Sequence, residues 1–147
     1  MFAKRSLDTP AAIRRTALDL LARREHCHGE MLRKLRQRGA AAEMAEIELE
    51  RLQSEGLLSD ARFCEAYVYS RSQRGYGPVR LREELRQRGV AESLIDQVLQ
   101  DAAWDWSALA QTAFAKRFPE GPAEDLKERA RQQRFMQYRG FGGHFPR

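Results

Sequence analysis

Apolar residues recur along this chain at three- and four-residue spacing, the period of helices that bury one face. Thr9 and Pro10 make an N-cap and a first-turn proline. Ile13, Ala17, Leu20 and Leu21 follow in helical register, predicting a helix over 10–24. Met31 and Leu35 mark a second helix that ends at Gly39. Met44, Ile47, Leu49 and Leu52 mark a third closed by Gly56, with Leu57 and Leu58 expected to tuck under it. Ser59 is placed to cap a fourth helix carrying Phe63, Cys64, Tyr67 and Val68. Pro78 then opens a fifth with Leu81 and Leu85 on its buried side. Leu94, Ile95, Val98 and Leu99 predict a sixth helix. Trp104, Trp106, Leu109, Ala113 and Phe118 predict a seventh, and Leu126, Ala130 and Met136 an eighth after the breaking "FPEGP". Strand-type alternation is missing from the pattern, so the expected class is all-α.

The pattern also repeats. "LRQRG" occurs at residues 35–39 and again at 85–89, a shift of 50, and "MQYRG" at 136–140 forms a degenerate third copy 51 further on. Self-similarity at such a period marks stacked modules. The reading is three tandem three-helix, helix-turn-helix-like repeats over 1–58, 59–101 and 102–147, in an elongated, curved stack. The last repeat is expected to be incomplete, because "GGHFPR" after Phe141 is poor material for a ninth helix.

Charge sharpens this picture. Residues 33–38 carry Arg33, Lys34, Arg36 and Arg38 for a net +4, and 43–55 a net −4. The stretches 71–88 and 92–105 repeat the alternation at +4 and −4, and 127–139 adds a third +4. The 147-residue chain has a net charge of +5, which suits an acidic partner without naming one. No uncharged apolar run approaches the roughly 20 residues that span a bilayer, and "MFAKRSLD" lacks a signal-peptide core. A cytoplasmic protein with no membrane association is expected, with Cys27 and Cys64 as reduced thiols.

Three blocks resemble a known family: "LLARREHCHGEMLRKLRQRG" at 20–39, "GLLSDARFCEAYVYSRSQRGYGPVRLREELRQRGV" at 56–90, and "QRFMQYRGF" at 133–141. In this order they are similar to the RecX family, bacterial regulatory proteins built from tandem three-helix repeats. The resemblance runs from about Ala17 to Phe141. It implies a modulator of the RecA recombinase, with a place in recombination regulation, DNA repair and the SOS response. It further implies binding to RecA and its filament on single-stranded DNA, suppression of ATP hydrolysis and strand exchange by blocking extension or promoting disassembly, and no catalysis.

The residues offered for contact are basic. They are Arg33, Arg36 and Arg38 in the first module, and Arg74, Arg80, Arg82, Arg86 and Arg88 in the second. Lys127, Arg131, Arg134 and Arg139 supply the third. Arginine suits carboxylates and phosphates alike, and the same residues also serve as solvated, dipole-compatible helix surface. Tyr76, in "GYGP", reads either as a packing plug or as an exposed aromatic. "GYGP" lacks the spacing of a phosphate-binding loop. "HCH" at 26–28 lacks the separated pairs of a zinc site, so Cys27 is placed near a helix start and Cys64 in the core. No activated nucleophile or carboxylate pair stands out, so no enzyme, metal or cofactor is expected. A monomer is expected, with weak direct DNA binding possible beside the recombinase. A DNA-binding protein acting alone and a passive helical scaffold are the competing readings.

Overall fold

The structure, a computed structural model, describes residues 7–142. Its described residues form eight helices and no strand: α1 Pro10–Arg23, α2 His28–Gln37, α3 Ala42–Ser54, α4 Asp60–Gln73, α5 Pro78–Gln87, α6 Glu92–Leu99, α7 Trp106–Arg117 and α8 Leu126–Arg139. Tandem helical repeats are the architecture. The expected lack of a ninth helix concerns residues 143–147, which lie outside the described residues. No described helix is long and apolar enough to cross a membrane.

The helix starts are set by local chemistry. Thr9 Oγ1 accepts from the Ala12 amide at 3.1 Å, Ser59 Oγ from Arg62 at 3.2 Å, and carboxylates of Asp105 and Asp125 from Ala108 and Glu128 at 3.0 Å. The "LRQRG"-type helices of the repeat, α2, α5 and α8, stop at glycines. Gly39, Gly89 and Gly140, the three aligned glycines of the repeat, all hold the left-handed conformation, with φ of 99°, 86° and 94°.

By density of contacts the chain divides into two compact units, residues 1–64 with 88–90, and residues 65–87 with 91–147. In the first, α2 and α3 pack on each other and on α1 around Ile13, Met31, Leu35, Leu49 and Leu52. Leu58 is buried beneath them as expected, but Leu57 is 43% exposed. Ile47 is also a correction, being 57% exposed. The inward face of α3 runs through Ala45, Glu48, Leu49 and Leu52, and Glu48 rather than Ile47 occupies it. Arg14 makes that burial tolerable, with Nη1 donating to Glu48 Oε1 at 3.1 Å.

In the second unit α5 packs on α6, with Leu81, Leu85 and Ile95 fully buried. A separate cluster of Ala110, Phe114, Met136 and Phe141 joins α7 and α8. Trp104, expected within the seventh helix, precedes it. Its indole N–H donates to the Val98 carbonyl at 2.8 Å and that of Trp106 to Leu99 at 3.0 Å, so the pair satisfies the open carbonyl end of α6. Leu126, one of the apolar positions that predict the eighth helix, is 82% exposed at the first position of α8, where the cap and not packing sets the geometry.

The second and third of these glycine segments share one packing role. The Gly77 amide donates to the Arg139 carbonyl at 2.7 Å and Val79 to Gly140 at 2.9 Å, so the end of α8 seats on the turn that opens α5. Fifty residues earlier, Cys27 Sγ donates to the Arg88 carbonyl at 3.3 Å, and the segment after α5 seats on the turn that opens α2. The close approach needs glycine on the receiving turn. A Cβ on Gly29 would fall 2.6 Å from the Arg88 oxygen, and one on Gly77 2.6 Å from the Gly140 oxygen.

Candidate functional site

The second unit gathers four arginines and two tyrosines where the end of α4, the start of α5 and the end of α8 meet. Gly75, at φ 91°, lets the chain reverse after α4, and the Tyr76 amide donates back to the Arg71 carbonyl at 3.2 Å. The half-buried Tyr76 ring is then met by three guanidiniums, those of Arg71 at 3.9 Å, Arg80 at 4.6 Å and Arg139 at 4.8 Å from the ring centroid. Arg80 also covers the Tyr138 ring at 4.8 Å and donates from Nη1 to the Tyr138 carbonyl at 3.2 Å. Arg74 sits at the rim, where its carbonyl accepts from Arg139 Nη1 at 3.2 Å.

Such crowding of like charge needs an anion, and Glu84 supplies it. Its Oε1 accepts from Tyr67 Oη at 2.6 Å and Arg71 Nε at 3.1 Å, and its Oε2 from Arg71 Nη2 and Arg80 Nε at 3.0 Å each. Burial alone would raise the Glu84 pKa. The bonds from Arg71, Tyr67 and Arg80 outweigh it and hold the carboxyl below its ordinary range.

The sequence-predicted residues therefore part into groups. Tyr76, Arg80, Arg139 and the rim residue Arg74 come together, with Tyr76 acting as a packed aromatic inside an arginine cage. Arg82 and Arg86 do not join them. Arg82 Nη1 pairs with Glu92 at 3.1 Å and with Asp96, and Arg86 pairs with Glu83 at 2.9 Å and with Glu92. Arg88 is half-buried and lends its carbonyl to Cys27. Lys127, Arg131 and Arg134 are exposed on α8, with only Arg131 near a carboxylate, Glu128, at 4.0 Å. Arg71, Glu84 and Tyr138 were missed by sequence reasoning. The Arg80–Glu84 pair stands at i,i+4 spacing on α5, but Arg71 and Glu84 are 13 positions apart and Arg80 and Tyr138 58, beyond any helical periodicity.

In the first unit Arg33, Arg36 and Arg38 are exposed on and just past α2, and no described carboxylate pairs with them. Arg33 and Arg36 border a shallow depression floored by Gly29 and Leu32. The "HCH" side chains are committed separately. His26 Nδ1 lies 3.0 Å from the Arg24 carbonyl and Nε2 2.9 Å from Lys34 Nζ, while His28 meets Glu46 at 2.8 Å. Burial, with Arg24 and Lys34 close by, pushes the His26 pKa down, and burial raises that of the Cys27 thiol. The neutral His26 therefore donates from Nδ1 and accepts at Nε2. Cys27 caps α2 and Cys64 is fully buried, as their sequence positions predicted. Among the described residues no group of three His, Cys, Asp or Glu could hold a metal.

Family models of RecX match along the whole repeat, the first three-helix domain at residues 14–52, the second at 59–99 and the third at 105–144. The chain is 54% identical over 135 residues to "Regulatory protein RecX" of Pseudomonas putida KT2440, covering 92% of this chain and 86% of that one. The chain belongs to the RecX family. The RecX protein of Pseudomonas entomophila L48 is 53% identical over 92% of this chain and 87% of its own. A solved structure, "Crystal structure of regulatory protein RecX", superposes with a TM-score of 0.73 at 23% identity, over 91% of this chain and 69% of that one, and supports the fold. Against the RecX domains the arginine cage falls mostly in the second, and its closing residues Tyr138 and Arg139 in the third.

Proposed function

We propose that this RecX-family chain is a negative regulator of the RecA recombinase. It binds RecA and its filament on single-stranded DNA, and it inhibits ATP hydrolysis and strand exchange by blocking extension or promoting disassembly. It acts as a cytoplasmic monomer with no catalysis of its own. The observation that carries this reading is the ordered match of all three RecX domains, supported by relatives above 50% identity whose printed name is a regulatory one.

The contact residues follow from which cations are already neutralised. Arg82 and Arg86 are engaged by Glu83, Glu92 and Asp96, and an arginine so paired offers an incoming anion less than an unpaired one. Arg33, Arg36 and Arg38 on the first module, and Arg74, Lys127 and Arg134 on the others, keep their charge for a partner. Arg80 and Tyr76 hold the turn that presents Arg74.

Co-sedimentation with RecA filaments on single-stranded DNA tests the assignment. Arg33→Glu with Arg36→Glu should weaken filament binding about tenfold, which corresponds to about 1.4 kcal/mol. An unchanged affinity would remove α2 from the contact. Any direct DNA affinity carried by phosphate contacts falls steeply between about 50 and 200 mM salt, whereas a flat response excludes such contacts.

A further inference from the structure

Beside the arginine cage, in the same unit, a cleft of about 310 Å³ lies between the end of α4, the exposed side of α7 and the end of α8. Its floor is apolar, made by Leu109, Ala113 and Phe135. Its rim is cationic, carrying Arg74, Lys116, Arg117 and Arg139 and no carboxylate. None of these four cations forms an ion pair among the described residues, whereas Arg71, Arg80, Arg82 and Arg86 all do. Four unneutralised charges around one small apolar hollow repel one another, and the arrangement gains most from an anion that also fills the hollow.

We propose that this cleft is a docking site for an acidic peptide segment that carries one apolar side chain. The volume is at the small end of ligand clefts, which run from about 300 to 1,000 Å³, and suits a single leucine- or phenylalanine-sized anchor. Flanking carboxylates then meet the guanidinium forks of Arg74, Arg117 and Arg139 in their preferred planar geometry. The exposed Gln73 and Thr112 supply polar groups for the peptide backbone at the edge.

Nucleic acid fits less well. Binding of single strands relies on aromatic faces for the bases. The one aromatic ring in the lining, Phe135, is already met edge-on by Phe118 at 5.3 Å and by the guanidiniums of Arg139 at 5.0 Å and Arg117 at 5.7 Å. The same packing fixes the floor, since the tilted rings of Phe114 and Phe118 meet behind it with centroids 5.1 Å apart. The site rests on this chemistry alone and stands whether or not the partner is the recombinase.

Fluorescence anisotropy on the full chain tests the proposal, with a labelled seven-residue peptide of alternating Asp and Glu around a central Leu, and a labelled oligo-dT as comparison. The peptide should bind saturably. Replacing its Leu by Ser, or introducing Arg74→Glu with Lys116→Glu, should each weaken binding about tenfold. Thr112→Trp, which occludes the cleft without changing charge, should do the same. Arg15→Glu with Arg23→Glu, an equal reversal on the exposed side of α1, should leave peptide binding within about twofold. Equal weakening by the two reversals, indifference to the Leu, or failure of the peptide to bind would overturn the proposal. So would oligo-dT binding that needs Arg74 and Lys116 and that the peptide does not displace. Circular dichroism of each variant confirms that the helices remain, and Thr112→Trp keeps the test decisive if a charge reversal perturbs folding.

Discussion

Glu84 holds together charges that would otherwise drive the second unit's corner apart. Its side chain is 16% exposed and those of Arg71 and Arg80 are 23% and 28%, so the pairings are partly desolvated, unlike the surface pairs of Arg86 at 51%. Glu84→Gln leaves two guanidiniums facing each other over Tyr76 and should cost about 3 kcal/mol in urea unfolding, whereas Tyr67→Phe, which removes one bond to the carboxylate, should cost about 1–2 kcal/mol. Equal, small losses would show that the cage is decorative. His26 makes a second residue-level prediction. Its folded pKa is depressed below 6.5, so the unfolded chain takes up the proton first, and stability is present above that value and lost as the pH falls below it. The charged groups facing the ring are Arg24, Lys34 and Glu30, and Glu30, itself held below 4.5, does not titrate in this window. The unfolding midpoint should drop between about pH 7.5 and 5.5, and His26→Gln should flatten that slope; a variant with the wild-type slope would acquit His26. Neither residue's role was legible in the sequence. Glu84 looked like one acid in a basic stretch, because Tyr67 and Arg71 reach it from α4, and His26 like part of a metal-like triplet, because the Arg24 carbonyl and Lys34 of α2 meet its ring only once the turn is folded.

At the scale of the helices, caps and stops were readable because they depend on neighbours in the chain. Thr9, Pro10, Ser59, Pro78 and the aligned glycines act where their chemistry places them. Positions decided by tertiary fit were not readable. Ile47 lies outward because α3 turns Glu48 toward Arg14, and Trp104 leaves the seventh helix to close the end of α6. The glycines of the receiving turns belong to the same class. Gly77 sits in a dipeptide that any tight turn could use, yet its real constraint is the distant Gly140 carbonyl and the Phe141 ring, both within 2.7 Å of where a Cβ would stand. Gly77→Ala should therefore destabilise the second unit by at least about 2 kcal/mol, and Gly29→Ala the first by a similar amount. Gly56→Ala, at φ 75° with open space around it, should cost only about 1 kcal/mol. Calorimetry of the three variants separates steric exclusion from backbone strain, and equal losses would contradict the seating of Arg88 and Gly140 on those turns.

For the whole molecule, the period of 50 residues has a structural meaning that its letters alone did not give. In "LRQRG" the leucine is core and the glycine a left-handed stop, and in the second and third copies the carbonyl beside the glycine seats on the opening of an earlier helix. Family and helical class were legible because this grammar recurs three times. The basic residues were not sortable by sequence, since pairing to α6 and caging around Tyr76 use the same residue type as open surface. The proposed negative regulation of RecA is read out in ATP hydrolysis by RecA filaments preformed on single-stranded DNA, with the full chain added after assembly. Inhibition should saturate, well below one molecule per protomer if ends are blocked and near equivalence if the filament is coated. Undiminished hydrolysis at excess protein, with the chain folded, would contradict it.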